Sequence, residues 1–115
     1  MSVSAYQRAR NFSENPRATE RRLMNQVTGA LIDARHRKLR GVDLAHVLHW
    51  NREVWNTFGA MCAEGTNGLP MPLRAGVISL SLWVDRHSSE VMAGQADLDD
   101  LIEVNRMIMD GLSGG

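Results

Sequence analysis

The chain has 115 residues, 43% of them hydrophobic, and its 13 basic and 13 acidic side chains cancel. This length predicts one domain, residues 1–115, and the composition argues against disorder. A net charge of zero argues against a protein that binds nucleic acid by bulk electrostatics. Residues 1–60 nevertheless carry ten Lys and Arg against five Asp and Glu, whereas residues 61–115 carry three against eight. We therefore expect the two halves to attract each other within one compact fold.

Cys62 is the single cysteine, so no internal disulfide can form and a reducing compartment is expected. No apolar run approaches the ~18 residues that a membrane helix needs, and the first residues do not resemble a secretory signal. We predict a cytoplasmic protein that does not enter a membrane.

The first two predicted helices differ in length. Residues 1–12 are long enough for a short N-terminal helix, in which Tyr6 and Phe12 are the large apolar side chains. So short a helix is marginal alone and must dock on the body or on a partner. The next helix starts at Asn15, as N-cap, and Pro16 and keeps helical apolar spacing to about residue 39. We expect Gly41 to close it.

A basic cluster (Arg35, Arg37, Lys38 and Arg40) forms the end of this helix. Cations there complement the helix dipole, which is a sufficient structural reason for them. An RNA-binding patch is the alternative, although no aromatic side chains are interleaved with the cations.

The central helix carries much of the apolar bulk of the chain, with Asp43 as its expected N-cap and its end near residue 64. Leu44, Val47, Leu48, Val54, Trp55, Phe58 and Cys62 share one face at 100° per residue. Asn51 lies inside this stripe and Trp50 on its flank. A buried Asn must find hydrogen-bond partners, and its usual role is to fix the register between helices.

Residues 65–72 contain two glycines and two prolines and predict a turn. Residues 77–84 alternate enough to be read as a strand, but a helix over residues 73–91 explains more apolar positions. The main apolar stripe of this helix is Leu73, Val77, Leu80, Val84 and Val91. Ala75, Ile78 and Leu82 form a second apolar strip on the opposite side, here called the outer strip. This helix is either central in a bundle or presents a binding face.

The last helix is predicted to begin after Gly94, with Asp97 as its cap, and to run to about residue 112. Asn105 repeats the pattern of a polar residue within an apolar stripe, and residues 113–115 are expected to fray. The sequence thus predicts an all-α, single-domain, up-and-down bundle of four main helices plus the short N-terminal helix.

No set of residues in the sequence has the spacing of a catalytic, cofactor-binding or metal site. His46 and His49 are three residues apart, but no carboxylate or cysteine completes a metal site. We therefore predict a non-enzymatic protein that binds a partner and needs no cofactor.

Several segments resemble one small family of bacterial proteins, the flagellar biosynthesis regulator FlaF. The resemblance is carried, in order, by residues 5–6, 15–23 (NPRATERRL), 26–31 (QVTGAL), 48–55 (LHWNREVW), 69–84 (LPMPLRAGVISLSLWV) and 102–112 (IEVNRMIMDGL). It implies a cytoplasmic factor needed for flagellin synthesis and secretion, which binds unassembled flagellin as a chaperone. It also implies a link to FlbT, a repressor of flagellin mRNA translation, as a second partner.

We predict that flagellin lies in an apolar groove formed in part by the outer strip. Ile78 and Leu82 are the leading candidates for contact, with Trp50 and Ile32 as outlying ones, because each is large and apolar but lies off its helix's main stripe. The alternative function is regulation of flagellin mRNA translation, with or against FlbT, through Arg35, Arg37, Lys38 and Arg40.

Overall fold

The computed structural model describes residues 16–64 and 68–114. Four helices account for most of this part of the chain: α1 (Pro16–Arg37), α2 (Gly41–Glu64), α3 (Met71–Met92) and α4 (Asp99–Gly114). The predicted all-α fold is therefore confirmed, and residues 77–84 are helical rather than a strand. The predicted helix in residues 1–12 lies outside the described residues, as does Gly115. α4 continues two residues into the segment that was expected to fray.

The four helices form a ring in which sequence neighbours lie side by side. α1 packs against α2 and α4, α2 also packs against α3, and a smaller contact between α3 and α4 closes the ring. This order is that of an up-and-down bundle, in which short connections join neighbouring helices. Oppositely charged side chains join the two halves of the sequence at the ring's surface, where Arg35 lies 2.7 Å from Asp99 and Arg52 lies 3.4 Å from Asp85.

The core lies inside this ring and draws on every helix. Trp55 of α2 is its largest fully buried side chain. Around it pack buried apolar side chains that the helical spacing had placed on inward faces: Met24, Val27, Leu31, Ala34, Leu48, Phe58, Cys62, Val77, Val84, Val91, Leu98, Leu101, Ile102 and Ile108. Leu44, Val47 and Val54 lie at the edge of the core and are only partly buried.

The end of α1 differs from the prediction. α1 stops at Arg37, and the left-handed residue that follows is Lys38, with φ of 53°. The Leu39 amide donates to the Ala34 carbonyl and the Lys38 amide to the Arg35 carbonyl, which together form a Schellman motif. Gly41 does not close α1 but is the first residue of α2, so Asp43 lies in the first turn of α2 rather than at its cap.

The other two predicted helix ends are confirmed. Gly94 has φ of 77°, and its amide and that of Gln95 donate back to α3 at Val91 and Glu90, which again makes a Schellman motif. At the start of α4, Asp97 Oδ1 accepts the Asp99 amide at 3.0 Å, as expected of the capping residue.

Candidate functional site

Among the described residues, an open and largely apolar cleft of about 400 Å³ lies between α1 and α2. Its size falls within the range of about 300–1,000 Å³ that is usual for ligand sites. α1 contributes one wall and α2 the other. The cleft is lined by Thr19, Glu20, Leu23, Met24, Trp50, Glu53, Val54, Thr57, Phe58 and Met61.

The wall from α2 follows from helix periodicity. Trp50, Val54, Thr57 and Met61 are spaced by four, three and four residues, so they form one row along the helix. This row borders the buried stripe that contains Phe58, which reaches both the core and the cleft. The α2 apolar surface is therefore wider than the core, and the excess lines the cleft.

Trp50 is the most exposed of the large aromatic side chains in the cleft. Its side chain is on the α2 wall, and the residue is 39% exposed. Tryptophan is among the residues most often found to dominate binding energy at protein interfaces, because it buries a large rigid surface. Its position makes it the natural anchor for an apolar ligand in this cleft.

A hydrogen-bonded network of buried side chains lies inside the bundle, here called the polar network: Thr28, Asn51, Trp55 and Asn105. Asn105 Oδ1 accepts from Trp55 Nε1 at 2.8 Å. Asn105 Nδ2 donates to Thr28 Oγ1 at 3.1 Å and to Asn51 Oδ1 at 2.9 Å. The prediction that the two asparagines lie in the helix seams is confirmed, and they are each other's partners.

The polar network leaves one donor unused. Asn51 Nδ2 is buried and makes no hydrogen bond within the described part of the chain. A buried polar group without a partner costs about 1–3 kcal/mol. The Asn51 side chain therefore contributes to the polar network through its oxygen alone, which accepts from Asn105.

The four side chains predicted to contact flagellin do not form one groove. Trp50 lines the cleft, but Ile32, Ile78 and Leu82 do not. Ile32 of α1 and Ile78 of α3 are partly buried and pack against the core. Leu82 is 64% exposed on α3, a helix whose described backbone does not contact α1.

The cleft was not predicted from the sequence. Val54 and Phe58 share the helical spacing of the core positions, and nothing in that spacing distinguishes a core contact from a cleft contact. One feature of the sequence could have indicated the cleft, namely the width of the apolar stripe on α2. Trp50 extends this stripe beyond what one neighbouring helix can cover.

The basic cluster is partly neutralised. Arg35 pairs with Asp99 at 2.7 Å and Arg37 with Asp33 at 3.2 Å, whereas Lys38 and Arg40 make no ion pair within the described residues. The cluster thus offers fewer unpaired cations to phosphate than its sequence suggests.

The histidines and the cysteine do not come together. His49 lies 3.0 Å from Glu53, and His87 stacks on Trp83 with ring centroids 4.6 Å apart. Cys62 is buried. Across residues 16–64 and 68–114, no three His, Cys, Asp or Glu side chains are placed to hold a metal ion. The arrangement in the cleft is suited to apolar binding.

Nor does any helix in the described ranges combine the length and apolar character that a membrane crossing requires.

Comparison with known proteins identifies the family. The model of one family, described as flagellar protein FlaF, matches residues 2–112, which is nearly the whole chain. Neither the curated proteins nor the solved structures contain a match. The chain therefore belongs to the FlaF family of flagellar proteins.

Proposed function

We propose that this flagellar protein binds unassembled flagellin in the cleft between α1 and α2. It thereby acts as a cytoplasmic chaperone that supports flagellin synthesis and secretion. The observation that carries the proposal is the largely apolar cleft in a member of a flagellar family. Flagellin must stay unpolymerised until export, and its termini are amphipathic helical segments. Such a segment binds by placing its apolar side chains in a groove between two helices.

Within the described residues the cleft is open, and its lining is largely apolar with two polar residues on each wall, Thr19 and Glu20 on α1 and Glu53 and Thr57 on α2. This surface suits an amphipathic segment. Leu23 on α1 and Val54 on α2 are partly buried, so they are held in place yet remain accessible to a ligand. Trp50 at the edge can cover the apolar face of a bound helix. Glu53, on the same wall, is exposed and gives the rim a polar group beside the apolar floor.

Translational control through RNA has less support in the structure. Two of the four cations of the basic cluster, Arg35 and Arg37, already pair with carboxylates. Phosphate binding gains its strength from several unpaired cations that release counterions together. An effect on flagellin translation in this proposal follows from flagellin binding, and FlbT is a second protein partner rather than a route to RNA.

The test compares two exposed apolar side chains on different surfaces. Purified protein is titrated with monomeric flagellin from the same organism by isothermal titration calorimetry. We expect Trp50→Ala to weaken binding by about 30-fold, which corresponds to about 2 kcal/mol for an anchor residue. Leu82→Ala on the outer strip is the matched control and is expected to change the affinity by less than about twofold, as for a side chain outside the interface.

Circular dichroism must show that both variants remain folded. If Leu82→Ala abolishes binding and Trp50→Ala does not, the outer strip is the flagellin site and the cleft is not. If the unaltered protein does not bind monomeric flagellin at all, the proposed function is wrong.

A further inference from the structure

One amide on α4 connects both walls of the cleft. The Asn105 side chain contacts Thr28 on α1 and both Asn51 and Trp55 on α2, with donor–acceptor distances of 2.8–3.1 Å. All four residues are buried, and Asn51, Trp55 and Asn105 are 0% exposed. One side chain of α4 therefore bonds to both α1 and α2, the two helices that form the cleft.

On the α1 side, the polar network continues into a residue that lines the cleft. Thr28 Oγ1 accepts from Asn105 and donates to the Met24 carbonyl oxygen at 2.7 Å. Met24 is 1% exposed and forms part of the cleft floor. The position of this wall is thus linked through two hydrogen bonds to Asn105.

On the α2 side, Asn105 is linked to the cleft in two ways, through the packing of Trp55 on Phe58 and through Asn51, the sequence neighbour of Trp50. Trp55 donates to Asn105 and packs on Phe58, with ring centroids 6.5 Å apart and planes tilted by 50°. Phe58 lines the cleft. Asn51 also bonds to Asn105 and directly follows Trp50, the proposed anchor.

We propose that Asn105 is a positioning residue that sets the spacing and register of α1 and α2, and through them the affinity of the cleft for its ligand. The inference rests on the proposed function. Apolar contacts alone tolerate sliding and repacking between helices, whereas buried amide hydrogen bonds fix one register.

The first measurement separates positioning from stability. Asn105→Ala removes the hydrogen bonds to Trp55, Thr28 and Asn51. Of these bonds, Thr28→Val removes only the one to the α1 wall, with little change in side-chain shape, and it serves as a second variant if Asn105→Ala does not fold. Ser88→Ala is the matched control: Ser88 is 1% exposed, and its hydroxyl donates to Val84 within α3, away from the cleft. We expect flagellin affinity to fall by about fivefold or more in the two network variants, the usual range for coupling between sites. It should be unchanged in Ser88→Ala.

The second measurement is independent of flagellin. Cysteines are introduced by Gln26→Cys on α1 and Ala60→Cys on α2, two exposed positions outside the cleft lining, and carry nitroxide labels. Cys62→Ala removes the native thiol so that only these two positions are labelled. Double electron–electron resonance then reports the distance between the walls. We expect Thr28→Val and Asn105→Ala to shift this distance by about 1–2 Å or to broaden its distribution, as helix shifts do. Ser88→Ala should leave it unchanged.

The outcomes separate this inference from the proposed function. If the network variants bind flagellin with unaltered affinity and keep the unaltered distance distribution, Asn105 does not position the cleft, although flagellin binding would stand. If Ser88→Ala weakens binding as much as they do, the effect reflects general stability and the inference is wrong. If the unaltered protein does not bind flagellin, the proposed function fails, and the distance distributions alone decide whether Asn105 sets the wall spacing.

Discussion

Replacing Trp55 with phenylalanine should lower the free energy of unfolding by about 2–4 kcal/mol. Trp55 is fully buried, and its Nε1 donates to Asn105 Oδ1 at 2.8 Å. Phenylalanine cannot donate, so the Asn105 oxygen would lose this partner in the interior, at a cost of about 1–3 kcal/mol. The smaller ring also leaves a cavity of roughly 40 Å³, which adds about 1 kcal/mol at about 24 cal/mol per Å³.

Urea denaturation followed by far-UV circular dichroism measures this change as a shift of the transition midpoint at constant m. Trp83→Phe is the control, because Trp83 is partly exposed and stacks on His87, a contact that phenylalanine can keep. We expect the control to cost less than about 1 kcal/mol, since substitutions near the surface usually have small effects. Equal losses in the two variants would contradict a special role for the buried indole hydrogen bond.

Two other predictions concern the backbone, and thermal denaturation tests both. Lys38→Gly should raise the free energy of unfolding by about 0.5–1 kcal/mol, because Lys38 has φ of 53° and glycine adopts this conformation without strain. A lower melting temperature in this variant would contradict the left-handed end of α1. Gly59→Ala should cost about 1–3 kcal/mol, because its Cβ would lie 2.9 Å from the Ser81 hydroxyl oxygen where α2 meets α3. Gly76→Ala, with open space around its Cβ, should instead stabilise α3 by up to about 1 kcal/mol, so equal effects at the two glycines would refute the close approach.

The sequence was sufficient to predict the four helices that the structure describes and most of their inward faces, because helical periodicity is a local property. It also predicted that Asn51 and Asn105 lie in the seams of the bundle. It could not predict that they bond to each other and to Thr28, since the partner of a buried amide depends on how distant helices pack. The polar network became visible only when α1, α2 and α4 were placed together.

The cleft was harder to predict for a related reason. Leu82 on α3 and Trp50 on α2 both lie off the main apolar stripe of their helix. Whether such a side chain lies on an open helix surface or in a concave site depends on which other helix packs beside it. α1 provides the second wall beside Trp50. The end of α1 shows the same limit at the backbone. Gly41 does have a left-handed backbone, with φ of 57°, yet the Schellman motif that ends α1 forms earlier, at Lys38, where Leu39 can pack against the core.

The central claim is that flagellin occupies the cleft between α1 and α2. Amide chemical shifts of the ¹⁵N-labelled protein, followed by NMR during titration with unlabelled monomeric flagellin, test it most directly. We predict that the largest changes fall on residues of the two cleft walls, including Leu23, Trp50 and Val54, with small changes near Leu82. Changes concentrated on α3 around Ile78 and Leu82, with the cleft walls unaffected, would contradict the claim.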